Sequence, residues 1–160
     1  MQNLLRLAGH HLGQGEEPAD AVPLMKAGIW YPELGICDLE AIQAKWVAGQ
    51  PVVAINFYRA LVQSGGLEPI EVMVSALANL GMNVLPMFIS SLKDAVSVEI
   101  VRTVFGETNP LVVLNATGFA VSSPTGEHVP TVLEEGGATV LQIVLAGGSH
   151  EAWASSSQGL

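Results

Sequence analysis

Val52-Val53-Ala54-Ile55-Asn56-Phe57-Tyr58 is the stretch on which the fold turns. It is almost wholly apolar, rich in β-branched and aromatic side chains, and follows directly on a Gly49/Pro51 break. Such a run is expected of a parallel strand covered on both faces. Upstream, Asp38 is placed to cap a helix whose Leu39, Ile42 and Trp46 share one face. Downstream, the helix-then-strand unit repeats. Pro69 suits the first turn of a helix, Ile70, Met73, Val74 and Leu77 line its inner face, and Gly81 ends it before a strand at 84–89. Asp94 caps the next helix, with Val98, Val101 and Phe105 inward and Gly106 as its expected end, before a strand at 111–114. A weaker fourth unit runs from 129–135 through a Gly136-Gly137 turn to a strand at 139–145, and Ser149 opens a final helix. Residues 1–25, with Gly13, Gly15, Pro18 and Pro23, read as a lead-in, and 26–160 as one α/β domain. The expectation is a three-layer, flavodoxin-like (Rossmann-like) domain with a parallel sheet of about four strands in the order 2-1-3-4.

Composition narrows the function classes. Charged residues make up 13% of the 160 residues and hydrophobic ones 49%, against roughly 25% charged in an ordinary soluble chain. With a mean hydropathy of +0.43, intrinsic disorder is excluded. A net charge of -9, with only 6 Lys and Arg, argues against nucleic acid as a partner, because neutralising phosphates takes clustered cations. The charge-free stretch 72–92 is long enough to cross a bilayer as one helix. Asn79, Gly81, Asn83 and Pro86 punctuate it, so it reads as a helix end, a turn and a buried strand. Residues 1–9 hold too short an apolar run for a signal peptide. A cytoplasmic protein with no membrane partner is expected. Cys37 is the single cysteine, which allows no internal disulfide, and no Cys/His cluster has zinc spacing.

In parallel α/β sheets ligands bind outside the carboxyl ends of the strands, which gives a list of candidates. The first strand ends in Tyr58 and Arg59. A guanidinium there suits a carboxylate or phosphate, or else pairs with Glu68 or Glu71. Lys93, after the second strand, reads as a solvated loop lysine. The third strand ends in Asn115, Ala116 and Thr117. An amide closing an apolar run holds either its own loop or a ligand. The fourth leads through Gly147, Gly148 and Ser149 into a helix, where backbone N–H groups can approach an anion, and His150 stands beside them as a weak metal candidate. No GxGxxG, GxxxxGK(S/T) or GxSxG motif is present, so neither a dinucleotide fingerprint, a P-loop nor a hydrolase elbow is indicated.

Six blocks occur in order: Gly28-Ile29-Trp30-Tyr31-Pro32, Phe57-Tyr58-Arg59-Ala60, Gly81-Met82-Asn83-Val84-Leu85-Pro86-Met87-Phe88, Ser91-Leu92-Lys93-Asp94, Val113-Leu114-Asn115-Ala116-Thr117-Gly118-Phe119 and Val140-Leu141-Gln142-Ile143-Val144-Leu145-Ala146-Gly147-Gly148-Ser149. Together they resemble the N-terminal part of the family of cobaltochelatase large subunits (CobN) and magnesium chelatase H subunits. The resemblance covers most of the chain from Gly28 to Leu160 and implies a tetrapyrrole-binding chelatase subunit. In its cobalt form it implies insertion of Co(II), as substrate, into hydrogenobyrinic acid a,c-diamide during cobalamin synthesis. AAA+ partner subunits would use Mg-ATP, and this chain would bind no cofactor of its own. Family members run to several times this length, so a truncated chain, inactive alone and partnered by the remainder of the large subunit, is expected. Tyr58, Arg59, Asn115, Thr117, Gly147, Gly148 and Ser149 are then the candidates for substrate contact. Two other readings stay open: a stand-alone flavin or nucleotide module, and an interface domain without catalysis.

Overall fold

A computed structural model of the chain describes residues 2–18, 23–118, 130–146 and 148–155. Its elements are α1 (Gln2–His11), β1 (Ala27–Tyr31), β2 (Gly35–Cys37), α2 (Leu39–Gln43), β3 (Val52–Tyr58), α3 (Arg59–Ser64), α4 (Glu68–Asn79), β4 (Asn83–Ile89), α5 (Ala95–Thr108), β5 (Val112–Asn115), β6 (Thr139–Gln142) and α6 (His150–Ser155). The strands form one six-stranded sheet in the order β2-β1-β4-β3-β5-β6. β4, β3, β5 and β6 run parallel, whereas β1 lies antiparallel on β4 and β2 antiparallel on β1.

The expected four-strand sheet in the order 2-1-3-4 is therefore corrected to a mixed sheet of six, extended past β4 by a hairpin. The hairpin leaves little trace in a search for long apolar runs. Its strands are short, and its turn relies on positive φ at Glu33 (69°) and Gly35 (70°). The ladder between β1 and β4 runs from Ala27↔Ile89 to Ile29↔Met87. It stops one residue short of Pro86, which has no N–H to give. Gly28 sits opposite Phe88, and a Cβ at Gly28 would lie 2.9 Å from the Phe88 ring. The glycine is there to let that ring cross the strand.

Right-handed crossovers dictate where the helices go. The chain moves from β3 to β4 in one direction and from β4 to β5 in the other, so α4 and α5 cover opposite faces. On the α5 face Ile42, Leu85, Met87, Ile89, Val101 and Val113 form one core, and on the α4 face Ile55, Phe57, Ile70, Val74 and Phe88 form the other. Ile55 and Phe57 are fully buried, each contributing about 1.5–3 kcal/mol of transfer free energy. α4 carries its proline in the first turn, beside Glu68 and Glu71, where a missing N–H is harmless and acidic side chains oppose the helix dipole. Asp94 caps α5 by accepting from the Ser97 N–H at 2.9 Å. Gly106 does not end that helix as expected. Asn109 does, in the left-handed conformation at φ 45°, because Phe105 and Thr108 on either side of Gly106 are buried.

The amino-terminal edge of the parallel strands is tied by one side chain. Asn83 accepts from the Val47 N–H and donates to the Val47 carbonyl, both at 2.9 Å. The Trp46 indole donates to the Val84 carbonyl alongside. Among the described residues no helix is long and apolar enough to cross a membrane.

Candidate functional site

Three parallel strands carry, at or near their carboxyl ends, side-chain amides that meet. Asn56 of β3 is in register with Asn115 of β5, and Asn115 with Gln142 of β6. Parallel register puts all three on the α5 face, so each amide reaches the next. Asn56 Nδ2 donates to Asn115 Oδ1 at 2.9 Å, and Asn115 Nδ2 donates to Gln142 Oε1 at 3.0 Å. Asn115 Oδ1 also accepts from Thr117, from its N–H at 3.2 Å and its hydroxyl at 2.7 Å. Gln142 Nε2 returns to the Thr117 carbonyl at 3.1 Å. The chain leaving β5 is thereby clamped at Thr117 from two sides. Asn56 and Asn115 are buried, and Asn56 Oδ1 is a buried acceptor without a hydrogen-bond partner among the described residues.

The same carboxyl edge gathers cations. Because β1 runs antiparallel to β4, its start lies beside the end of β4, bringing Leu24 and Lys26 to this edge. Lys26, Arg59 and Lys93, half of the chain's Lys and Arg residues, stand here. Lys26 pairs with Asp94 at 2.6 Å. That bond and the Ser97 N–H hold the Asp94 carboxyl below the usual carboxylate range. Arg59 opens α3 and donates from Nη1 to the Leu24 carbonyl at 3.3 Å. Neither Glu68 nor Glu71 pairs with it, and no salt bridge involves it among the described residues. Tyr58, half-buried, precedes it as the residue that caps α3 without a side-chain bond. Lys93 is exposed.

The other expected site residues divide. Asn115 and Thr117 are in place, but with their polar atoms turned on one another and on Gln142. Gly148 and Ser149 are exposed just ahead of α6, which His150 opens. Gly147 lies outside the described residues. Gln142 and Asn56 complete the network without having been candidates. The signal for both is a lone amide inside an apolar strand run. Cys37, half-buried at the end of β2, has its thiol pushed up by burial and by the neighbouring Asp38 charge. Among the described residues no group of three or more His, Cys, Asp or Glu side chains could hold a metal ion. A cavity of about 120 Å³ bordered by Tyr31, Trp46, Gln50 and Asn83 opens at the opposite edge of the sheet.

Comparison with known proteins gives this architecture a family. The family described as CobN/Magnesium Chelatase matches residues 1–160. An aerobic cobaltochelatase subunit CobN of Sinorhizobium sp is 50% identical over 153 residues, covering 91% of this chain and 12% of that protein. Another of the same name from Pseudomonas aeruginosa is 29% identical over 154 residues, covering 96% of this chain and 12% of that protein. This chain thus spans about an eighth of the length of either relative. No solved structure matches it. The chain belongs to the CobN/magnesium chelatase family.

Proposed function

We propose that this chain forms part of the tetrapyrrole-handling large subunit of an ATP-dependent cobaltochelatase. The reaction is insertion of Co(II) into hydrogenobyrinic acid a,c-diamide in the cytoplasm, on the way to cobalamin. The observation that carries this reading is the half-buried guanidinium of Arg59, without an acidic partner among the described residues, at the carboxyl edge of a domain whose relatives are cobaltochelatase subunits. Peripheral carboxylates of a corrinoid acid are complementary to it, since a planar fork of N–H donors pairs with a carboxylate at two points. Tyr58 beside it and the exposed Gly148-Ser149 backbone supply further donors. Asn115 and Thr117 act one step back, by fixing the loop that borders the same edge. The chain's 160 residues contain no P-loop, and ATP hydrolysis is assigned to AAA+ partner subunits. By itself the chain is expected not to insert cobalt.

The test is titration of the full-length large subunit with the corrinoid acid, followed by its visible absorbance. Arg59→Ala should raise the Kd about tenfold, the equivalent of one charge-assisted hydrogen bond, and Arg59→Lys should recover only part of it. An unchanged Kd in both variants would remove Arg59 from the site. Binding of FMN in place of the corrinoid would replace the chelatase reading with that of a flavin module.

A further inference from the structure

The sheet is covered unevenly. β3 is buried along its length except at its two end residues, and β4 is buried throughout. β5 alternates: Val113 and Asn115, on the α5 face, are buried, while Val112 and Leu114, on the α4 face, are half-buried. Leu141, in register beside Leu114, is 49% exposed on that same face, next to the exposed Thr139. The α4-side core therefore shields β3 and β4, covers Leu114 of β5 only in part and leaves Leu141 of β6 open.

Handedness explains why the described connections do not repair this. From β4 through β5 to β6 the sheet grows in one direction, so right-handed connections lie on the α5 face. Val132 and Leu133, between β5 and β6, do pack into that core. A right-handed connection from β4 to β5 or from β5 to β6 puts its helix on the α5 face and leaves the other face to something else. Parallel sheets are nonetheless found with both faces covered.

We infer that the open half of the sheet, built on Val112, Leu114 and Leu141, seats an apolar helix from the remaining part of the same large subunit. The inference rests on the reading of this chain as part of a longer subunit. Its relatives devote 12% of their length to the matching region, so ample chain is at hand, and a tethered segment competes at high effective concentration. A second copy is the poorer occupant, because two chains of net charge -9 repel one another.

The test uses the full-length large subunit carrying Leu141→Cys in a Cys37→Ala background, labelled with a maleimide and read above the unsubstituted background. Val72→Cys, on the outer side of α4 and 62% exposed, is the reference. Leu141→Cys should label more slowly than Val72→Cys by more than about tenfold, as expected of a site reached only by local opening. Similar rates at both positions would overturn the seat. So would protection that vanishes on dilution together with a dimer mass, since the occupant would then be a second copy. Thr139→Cys, exposed on the same face, serves if the leucine variant fails to fold. Cobalt insertion, measured on the same preparations with the AAA+ partner subunits and Mg-ATP added, separates the two readings. Protection without chelation keeps the seat and removes the proposed function, and chelation without protection does the reverse.

Discussion

Asn56 donates its side-chain amide to Oδ1 of Asn115 at 2.9 Å, between directly paired residues of neighbouring parallel strands. The two are unequal partners. Removing Asn115 strands the Asn56 amide, the Thr117 hydroxyl and Gln142 Oε1 together, whereas removing Asn56 leaves Asn115 still bonded to Thr117 and Gln142. Asn115→Leu should therefore cost about 2–3 kcal/mol, the penalty for buried polar groups without partners. Asn56→Leu, which also deletes an unpaired buried acceptor, should cost less than about 1 kcal/mol. Urea unfolding of the two variants decides it, and equal losses would contradict the hub role of Asn115.

Gly28 should not tolerate a methyl group. Its Cβ would stand 2.7 Å from Met25 Sδ and 2.9 Å from the Phe88 ring. The methionine tip can swing aside, but the ring is fully buried and cannot. Gly28→Ala is expected to cost about 1–3 kcal/mol through overpacking. Combining it with Phe88→Leu should show a favourable coupling in a double-mutant cycle; additive losses would mean that the ring is not the obstacle.

α5 offers a change of opposite sign. Gly106 lies inside the helix with open space where its Cβ would be. Gly106→Ala should stabilise the protein by about 0.5–1 kcal/mol. At the left-handed Asn109, glycine should be accepted and valine should destabilise by about 1–2 kcal/mol. Thermal melts of the three variants test the boundary of the helix, and a loss with Gly106→Ala would place it earlier.

Acid should weaken the Lys26–Asp94 corner. The folded state holds the Asp94 carboxyl below its ordinary range through Lys26 and the Ser97 N–H. Its contribution is thus present above the unfolded carboxylate value, near pH 4, and is lost as pH falls through the lower folded value. Asp94→Asn should melt earlier than the parent protein at pH 7, with the gap closing towards pH 2. A gap that persists in acid would show that the capping geometry, and not the charge, is what matters.

β3, α4, β4 and the start of α5 are legible in the sequence because one cause, burial, writes each of them: continuous apolar runs for strands covered twice, and 3.6-residue spacing for helices covered once. β1 and β2 are not, since each draws its stability from its partner strand and a left-handed turn, neither of which leaves a periodic mark. α1 hides for a related reason. Leu5 and Leu7 are exposed, so its helical spacing has no core to answer to, and residues 1–25 read as a lead-in. At the candidate site, Arg59, Asn115 and Thr117 could be found as polar residues at strand ends. The partnership of Asn56 and Gln142 with them depends on strand register, which spacing along the chain does not encode.

The two bonds from Asn83 to Val47 reproduce with a side chain what one strand offers another: an acceptor and a donor at the spacing of a peptide. The loop between α2 and β3 is in effect sewn to β4 as though it were another strand. The domain is therefore fastened at both ends, at one by this backbone-like stitch and at the other by the amides of Asn56, Asn115 and Gln142 and the Lys26–Asp94 pair.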